Sequence, residues 1–321
     1  MSTKILAIGD LTIDQIMAPL QDLPRWGEEA EVHDLEIRLG GNTGNFALTA
    51  NALGLEVACM GPIGRDSNGR WVRAELERHG LTTKHLHVCS DLGTSVSVAL
   101  VKEDGERLFV TYPGALAHLE NMVARGNFPA ATYALFSGWC QPPRVAAPVL
   151  AACFDRLRAR GTTVVIDLAW SEASWLVRDQ LFGALSRANI VIMNIDEAAA
   201  LTGRTDLPAV MESLRAHLGA DMMIIVKRGS EGAMLDVPHM SPTNIPAFRV
   251  AEPRAAVGTG DSFNAGFLHA LAVQRLTPVD AAQFGCDVAS WQLMHGRKDR
   301  IDAAEIRSLR TAGLTRRGAI A

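Results

Sequence analysis

Apolar residues fall along the chain in two rhythms. Short continuous runs at 5–8, 57–60, 133–137, 163–167, 190–193 and 222–226 are bounded by polar or turn-forming positions. Runs of this length read as strands buried on both faces, as in a parallel sheet. Helical patterns stand between them. Phe46, Ala50 and Leu53 share one face of 45–53, and Val149, Cys153 and Leu157 align within 144–160. This alternation predicts an α/β protein with a mostly parallel sheet covered on both sides. Ligands of such sheets sit beyond the carboxyl ends of the strands.

Two stretches keep a different beat. Residues 31–39 and 94–101 alternate polar and apolar, and the second runs through Glu103-Asp104-Gly105-Glu106 into 107–111. Period-two alternation around an Asp-Gly turn predicts half-buried antiparallel strands, a hairpin in the second case. Segments near 12–40 and 93–112 are therefore expected to form a small β lid, with a decorative edge hairpin as the alternative. The whole chain, 1–321, is expected to be one such α/β unit.

Near the C-terminal end, Ala255-Ala256-Val257-Gly258-Thr259-Gly260-Asp261 runs into a helical stripe of Phe263, Phe267 and Leu271. A helix opening there would point the first-turn N–H groups of Gly258, Thr259 and Gly260 at a ligand. Such a terminus attracts anions, and its dipole is expected to keep Asp261 ionised. An anion cradle beside a carboxylate suits transfer of a phosphoryl group to a hydroxyl. Composition narrows the setting. An apolar content of 48%, a charged content of 21% and a net charge of −4 give no footprint for nucleic acid or an anionic membrane. Arg297, Lys298, Arg300, Arg307, Arg310, Arg316 and Arg317 read as solvated surface and tail. The five cysteines are scattered and odd in number, which favours reduced thiols in a cytoplasmic protein. Neither a signal peptide nor a membrane span is expected.

Four segments in order resemble the ribokinase-like (PfkB) carbohydrate kinases, and the likeness runs nearly end to end. They are Gly40-Gly41-Asn42-Thr43-Gly44-Asn45 with Gly54; Gly61-Pro62-Ile63-Gly64-Arg65-Asp66-Ser67-Asn68-Gly69; Asn194-Ile195-Asp196-Glu197; and Gly258–Asp261. The resemblance implies a three-layer α/β/α sandwich with a β lid, and ATP-dependent phosphorylation of a small sugar or sugar acid. Asp261 would be the general base, and Gly258, Thr259 and Gly260 the anion hole. Asp14, Gly41, Asn42 and Asn45 would hold the substrate, with Asn42 or Thr43 as a plain helix cap the alternative for that loop. Asn194 and Glu197 would organise hydrated Mg²⁺, or else cap the helix that follows them. Lys227, Gly229 and Gly232, together with Gly258 and Gly260, would receive the nucleotide, although 227–232 also reads as a hairpin turn. Segment 285–290 would flank the adenine. The Gly61–Gly69 turn is read as structural, with Asp66 capping a helix from Ser67.

The departure from the family pattern lies at Ala255 and Ala256, where Asp-Thr is usual. The loss of a carboxylate and a hydroxyl puts the family's monovalent cation site in doubt and predicts weak potassium activation. The same loss keeps open a weakened metabolite-binding paralogue, and the scaffold separately leaves a nucleoside kinase as a third reading. Arg38, Arg107, Trp139 and Trp170 are candidates to decide the acceptor. His85 and His87 lack an evident third metal ligand. Through the lid, the resemblance also implies a homodimer.

Overall fold

In a computed structural model the structure describes residues 4–102, 106–139, 145–248, 250, 258–298 and 300–311. In chain order the strands are β1 (Lys4–Gly9), β2 (Thr12–Leu20), β3 (Asp34–Gly40), β4 (Glu56–Met60), β5 (Pro62–Gly64), β6 (His87–Cys89), β7 (Val96–Lys102) and β8 (Arg107–Tyr112). They continue with β9 (Tyr133–Trp139), β10 (Thr163–Leu168), β11 (Ile190–Asn194), β12 (Met223–Lys227), β13 (Ala233–Asp236) and β14 (Thr243–Ile245). The helices are α1 (Asn42–Ala52), α2 (Ser67–Arg78), α3 (Leu119–Arg125), α4 (Ala147–Arg158), α5 (Glu172–Trp175), α6 (Arg178–Leu185), α7 (Ile195–Thr202), α8 (Leu207–Leu218), α9 (Thr259–Ala272), α10 (Pro278–His295) and α11 (Ala303–Thr311).

Eight strands form the central sheet in the order β14-β13-β12-β11-β10-β9-β1-β4. All its neighbours are parallel except β12–β13 and β13–β14. All six apolar runs expected as strands lie in this sheet. Successive side chains of a strand point to opposite faces, and the core divides accordingly. Ile5, Ala7, Val57, Cys59, Ile190 and Ile192 pack with Phe46 of α1, Phe263 and Phe267 of α9 and Phe284 of α10. Leu6, Ile8, Ala58, Met60, Val191 and Met193 pack with Phe154 of α4, Leu181 of α6 and Leu214 of α8. Helix, sheet and helix make three layers. Each strand buries both faces, which is why the runs lack alternation.

A second sheet, β3-β2-β7-β8, stands apart from the first. β3 and β8 pair antiparallel to their neighbours, and β2 lies parallel to β7. The tip residues 103–105 of the expected hairpin lie outside the described residues, but Lys102 N donates to Glu106 O at 2.8 Å where the strands close. α4 begins at Ala147 rather than 144, where Pro148 in its first turn needs no N–H partner. Asp66 caps α2 through Gly69 N at 2.7 Å and also accepts from Thr94 N and Oγ1. Burial opposes its charge, but these bonds outweigh burial and hold the carboxyl below its usual range. Cys59, Cys89, Cys153 and Cys286 are buried and form no disulfide among the described residues, and desolvation pushes the Cys59 thiol up to about 12. Cys140 lies outside the described residues. No helix among the described residues is long and apolar enough to cross a membrane.

Candidate active site

The carboxyl ends of β1, β10, β11 and β12 deliver Asp10, Asp167, Asn194 and Lys227 to one rim, and the start of α9 lies against it. Gly258 opens that helix in the left-handed conformation, at φ 83°, and no side chain caps it. A Cβ at Gly258 would stand 3.2 Å from the Asn45 side chain, and one at Gly260 would stand 3.1 Å from Lys227 Nζ. Glycine at both places leaves the first turn of α9 accessible to a ligand beside an ammonium.

Lys227 is partly buried in a cluster of acids. Its Nζ donates to both carboxylate oxygens of Asp167 at 2.8 and 2.9 Å, and Asn264 Nδ2 donates to the same carboxylate at 2.6 Å. Burial works against the ammonium, but Asp167, Glu197 and Asp261 outweigh it and hold the Lys227 pKa above its ordinary value. Asp261 itself is 5% exposed. Desolvation first, then the Asp167 charge, raise its pKa well above the carboxylate range, against partial relief from Lys227 and a hydrogen bond with Asn45. The helix dipole expected to favour the Asp261 carboxylate is therefore opposed by burial and by the Asp167 charge, which push its pKa the other way. Removing the carboxylate from water costs more than one helix end returns.

Asn45, on α1, links two charged groups. It hydrogen-bonds Asp261, and its Oδ1 accepts from Arg297, whose other terminal nitrogen donates to Leu39 O at 2.7 Å. Arg297, expected as solvated surface, instead reaches inward, whereas Lys298, Arg300 and Arg307 are exposed as expected. Burial, followed by the nearby Arg38 charge, lowers its pKa to about 10.

Neither Asn42 nor Thr43 caps α1. Asp10 does so from the other side of the loop, accepting from Asn42 N at 3.1 Å and Thr43 N at 3.2 Å. Burial raises its pKa to about 6 in spite of those bonds. Gly41 turns at φ 76° because a Cβ there would lie 2.6 Å from Asp10 O, and the Asn42 side chain packs on Gly138. Asp14, on β2, is buried and accepts from Thr12 Oγ1 at 2.9 Å. Its carboxylate covers Gly40 so closely that a Cβ there would fall 2.0 Å from Oδ1. Desolvation raises the Asp14 pKa, partly opposed by Thr12, Arg38 and Arg297.

Asn194 and Glu197 form a reciprocal capping box at the head of α7. Asn194 Oδ1 accepts from Glu197 N at 2.8 Å, and Glu197 Oε2 accepts from Asn194 N at 2.7 Å. Glu197 is buried, and desolvation and the Asp167 charge push its pKa up to about 7. The 227–232 segment is a tight turn between β12 and β13. Gly232, at φ 87°, rests on the backbone of Ile245, Arg228 is held by Glu231 and Asn244, and Gly229 meets open space. Lys227 alone of this group turns into the cluster. Segment 285–290 lies within α10, where a Cβ at Gly285 would meet Phe263 O of α9 at 2.9 Å. Trp170 is half exposed and packs edge-on against Trp175, while Ala255, Ala256 and the Trp139 side chain lie outside the described residues. Asp167, Asn264 and Arg297 are not among the site residues expected from sequence. An acid ending the apolar run 163–167 was the only local signal among them.

The pfkB family carbohydrate kinase profile matches residues 2–298. The chain is 26% identical over 293 residues to a ribokinase of Haemophilus influenzae, covering 89% of this chain and 90% of that protein. It is 27% identical over 241 residues to an aminoimidazole riboside kinase of Salmonella typhimurium, covering 72% and 73%. The fold matches that of an Arabidopsis thaliana ribokinase solved with ribose and ATP, with a TM-score of 0.78 at 19% identity, over 96% of this chain and 99% of that one.

Proposed function

The chain belongs to the pfkB family of carbohydrate kinases, and from that premise we propose that it moves the terminal phosphoryl group of ATP to a hydroxyl of a small sugar or sugar acid, with Asp261 as the base. The observation that carries this reading is the placement of Asp261 in the first turn of α9, buried and joined to Asn45, with Lys227 beside Gly260. As the acceptor oxygen forms its bond to the γ-phosphorus, its proton passes to Asp261. The bond from phosphorus to the bridging oxygen breaks, and ADP leaves. Gly258, Thr259, Gly260 and Lys227 stabilise charge on the phosphoryl oxygens. A carboxyl with a raised pKa is a strong base once ionised, so the rate should rise with pH until Asp261 loses its proton.

Asp14 grips acceptor hydroxyls, with Gly41 and Asn42 shaping the floor, and Asn45 aims the base. Lys227 turns its charge to the nucleotide, while Gly229 and Gly232 set the turn that carries it. Asn194 and Glu197 suit a hydrated Mg²⁺ held through water, because the amide and carboxylate already serve the α7 cap and retain further lone pairs. Such an ion neutralises triphosphate charge when bound. The four-stranded sheet acts as a lid over the acceptor, and its outer apolar face pairs with a second copy.

Asp261→Asn tests the base. Turnover should fall about 10²- to 10⁴-fold while calorimetric affinity for MgATP stays within a few-fold. Near-full activity would remove Asp261 from the mechanism.

A further inference from the structure

The lid strand β3 carries a largely buried cation with no hydrogen-bonded counter-charge among the described residues. Arg38 Nε and one of its terminal nitrogens are buried with no hydrogen-bond partner among the described residues. Its other terminal nitrogen lies 3.7 Å from Glu36, whose side chain is 60% exposed. A guanidinium offers five donors in a rigid fork, and leaving the three on these two nitrogens dry and unpaired is costly. Chance exposure does not relieve that cost, because the side chain is only 14% accessible.

Register puts Arg38 where an acceptor would be held. It stands directly opposite Asp14 in the β2–β3 pair, so both side chains share one face of the lid. Asp14 does not neutralise it by contact. That carboxylate lies over Gly40 and takes its hydrogen bond from Thr12. Arg297 adds a second inward cation, whose terminal nitrogens donate to neutral oxygens of Leu39 and Asn45. Its lowered pKa, due to burial and then to Arg38, places the two guanidinium groups within each other's field.

Resting on the kinase reading above, we infer that the acceptor carries an anionic group, a carboxylate or a phosphate ester, which Arg38 binds with Arg297 behind it. Asp14 then selects hydroxyls and Arg38 the charged end, so one molecule spans both. A neutral sugar or nucleoside would satisfy Asp14 and leave Arg38 unpaired, which is the penalty that makes such a site discriminate.

Matched trios test this: five- and six-carbon polyols, the corresponding aldonic acids, and the corresponding terminal phosphate esters. These are assayed for ATP turnover and for thermal shift with the full chain and with Arg38→Met. The better acid of a trio should exceed its neutral parent in kcat/KM by about 10²-fold, chiefly through KM. Whether carboxylate or phosphate wins identifies the anion. Arg38→Met should erase the preference by lowering kcat/KM on the acid, and melt no lower than the wild type without ligand, since it removes an unpaired buried charge. Equal or better turnover of neutral polyols or nucleosides overturns the inference, and so does an equal loss on acid and neutral acceptors in Arg38→Met. A lower melting point of the variant without loss of acid preference assigns Arg38 to structure and overturns it too. Absence of turnover with every acceptor, together with an acid-dependent thermal shift lost in Arg38→Met, sinks the kinase reading and sustains the anion site. Absence of both turnover and shift sinks both.

Discussion

Asp10 shows how a single residue can be read too cheaply. In sequence it looks like a turn residue after a strand; in the structure it supplies the cap that α1 lacks, from 32 positions away. That task keeps a carboxylate in a poorly solvated place, and burial raises its pKa from 3.8 to about 6. The folded state therefore holds the Asp10 proton more tightly than the unfolded state does. The cost of ionising it in place is absent below about pH 4, grows as pH rises through 6, and is complete above. Asp10→Asn carries no such titration. Its melting temperature minus that of the wild type should climb by a few degrees between pH 4 and pH 7 and then level off. A difference that stays flat across that range would mean that Asp10 is not titrating as described. Asp261 and Asp14 were legible because motif and position single them out. Asp167 and Arg297 were not, since their partners lie 60 and 252 residues away.

At the scale of elements, the start of α9 joins stability to the site. Gly258 adopts φ 83° as the N-cap, and its Cα faces Asn45. Alanine in the left-handed region costs roughly 1–2 kcal/mol. Here its methyl would also press on the amide that aims Asp261. Gly54 gives a control, with φ 84° and open space around it. Gly258→Ala and Gly54→Ala should lose similar stability in urea, but only Gly258→Ala should lose turnover, by about ten-fold or more. Equal turnover in the two variants would separate the helix cap from the chemistry. The helix itself was legible from Phe263, Phe267 and Leu271. The identity of its neighbours was not, because helical spacing gives a face and not what the face meets.

The molecule as a whole presents one unfinished surface. Period two in β3 and β8 sends Leu35, Ile37, Leu108 and Val110 to one face of the lid, the face away from Asp14 and Arg38. All four are exposed, at 43–60%. A contiguous apolar sheet face of this kind is what a self-complementary pair would cover. Light scattering at micromolar concentration should give a dimer, and Val110→Glu should give a monomer with its circular dichroism unchanged. A monomeric wild type would leave that face without the partner proposed for it.

The sequence by itself determined six strands of the central sheet, the alternating strands of the second sheet, several of the helices, the covering of the sheet on both sides and the family. These follow from short-range signals: run length, period, turn chemistry and four ordered motifs. Tertiary structure decided which charges face one another. It buried Asp261 so that desolvation raises its pKa, turned Arg297 inward, drew Lys227 onto Asp167 and left two Arg38 nitrogens without a hydrogen-bond partner among the described residues. Each of those outcomes depends on desolvation and on contacts between distant segments, and neither is encoded in the local pattern that specifies an element.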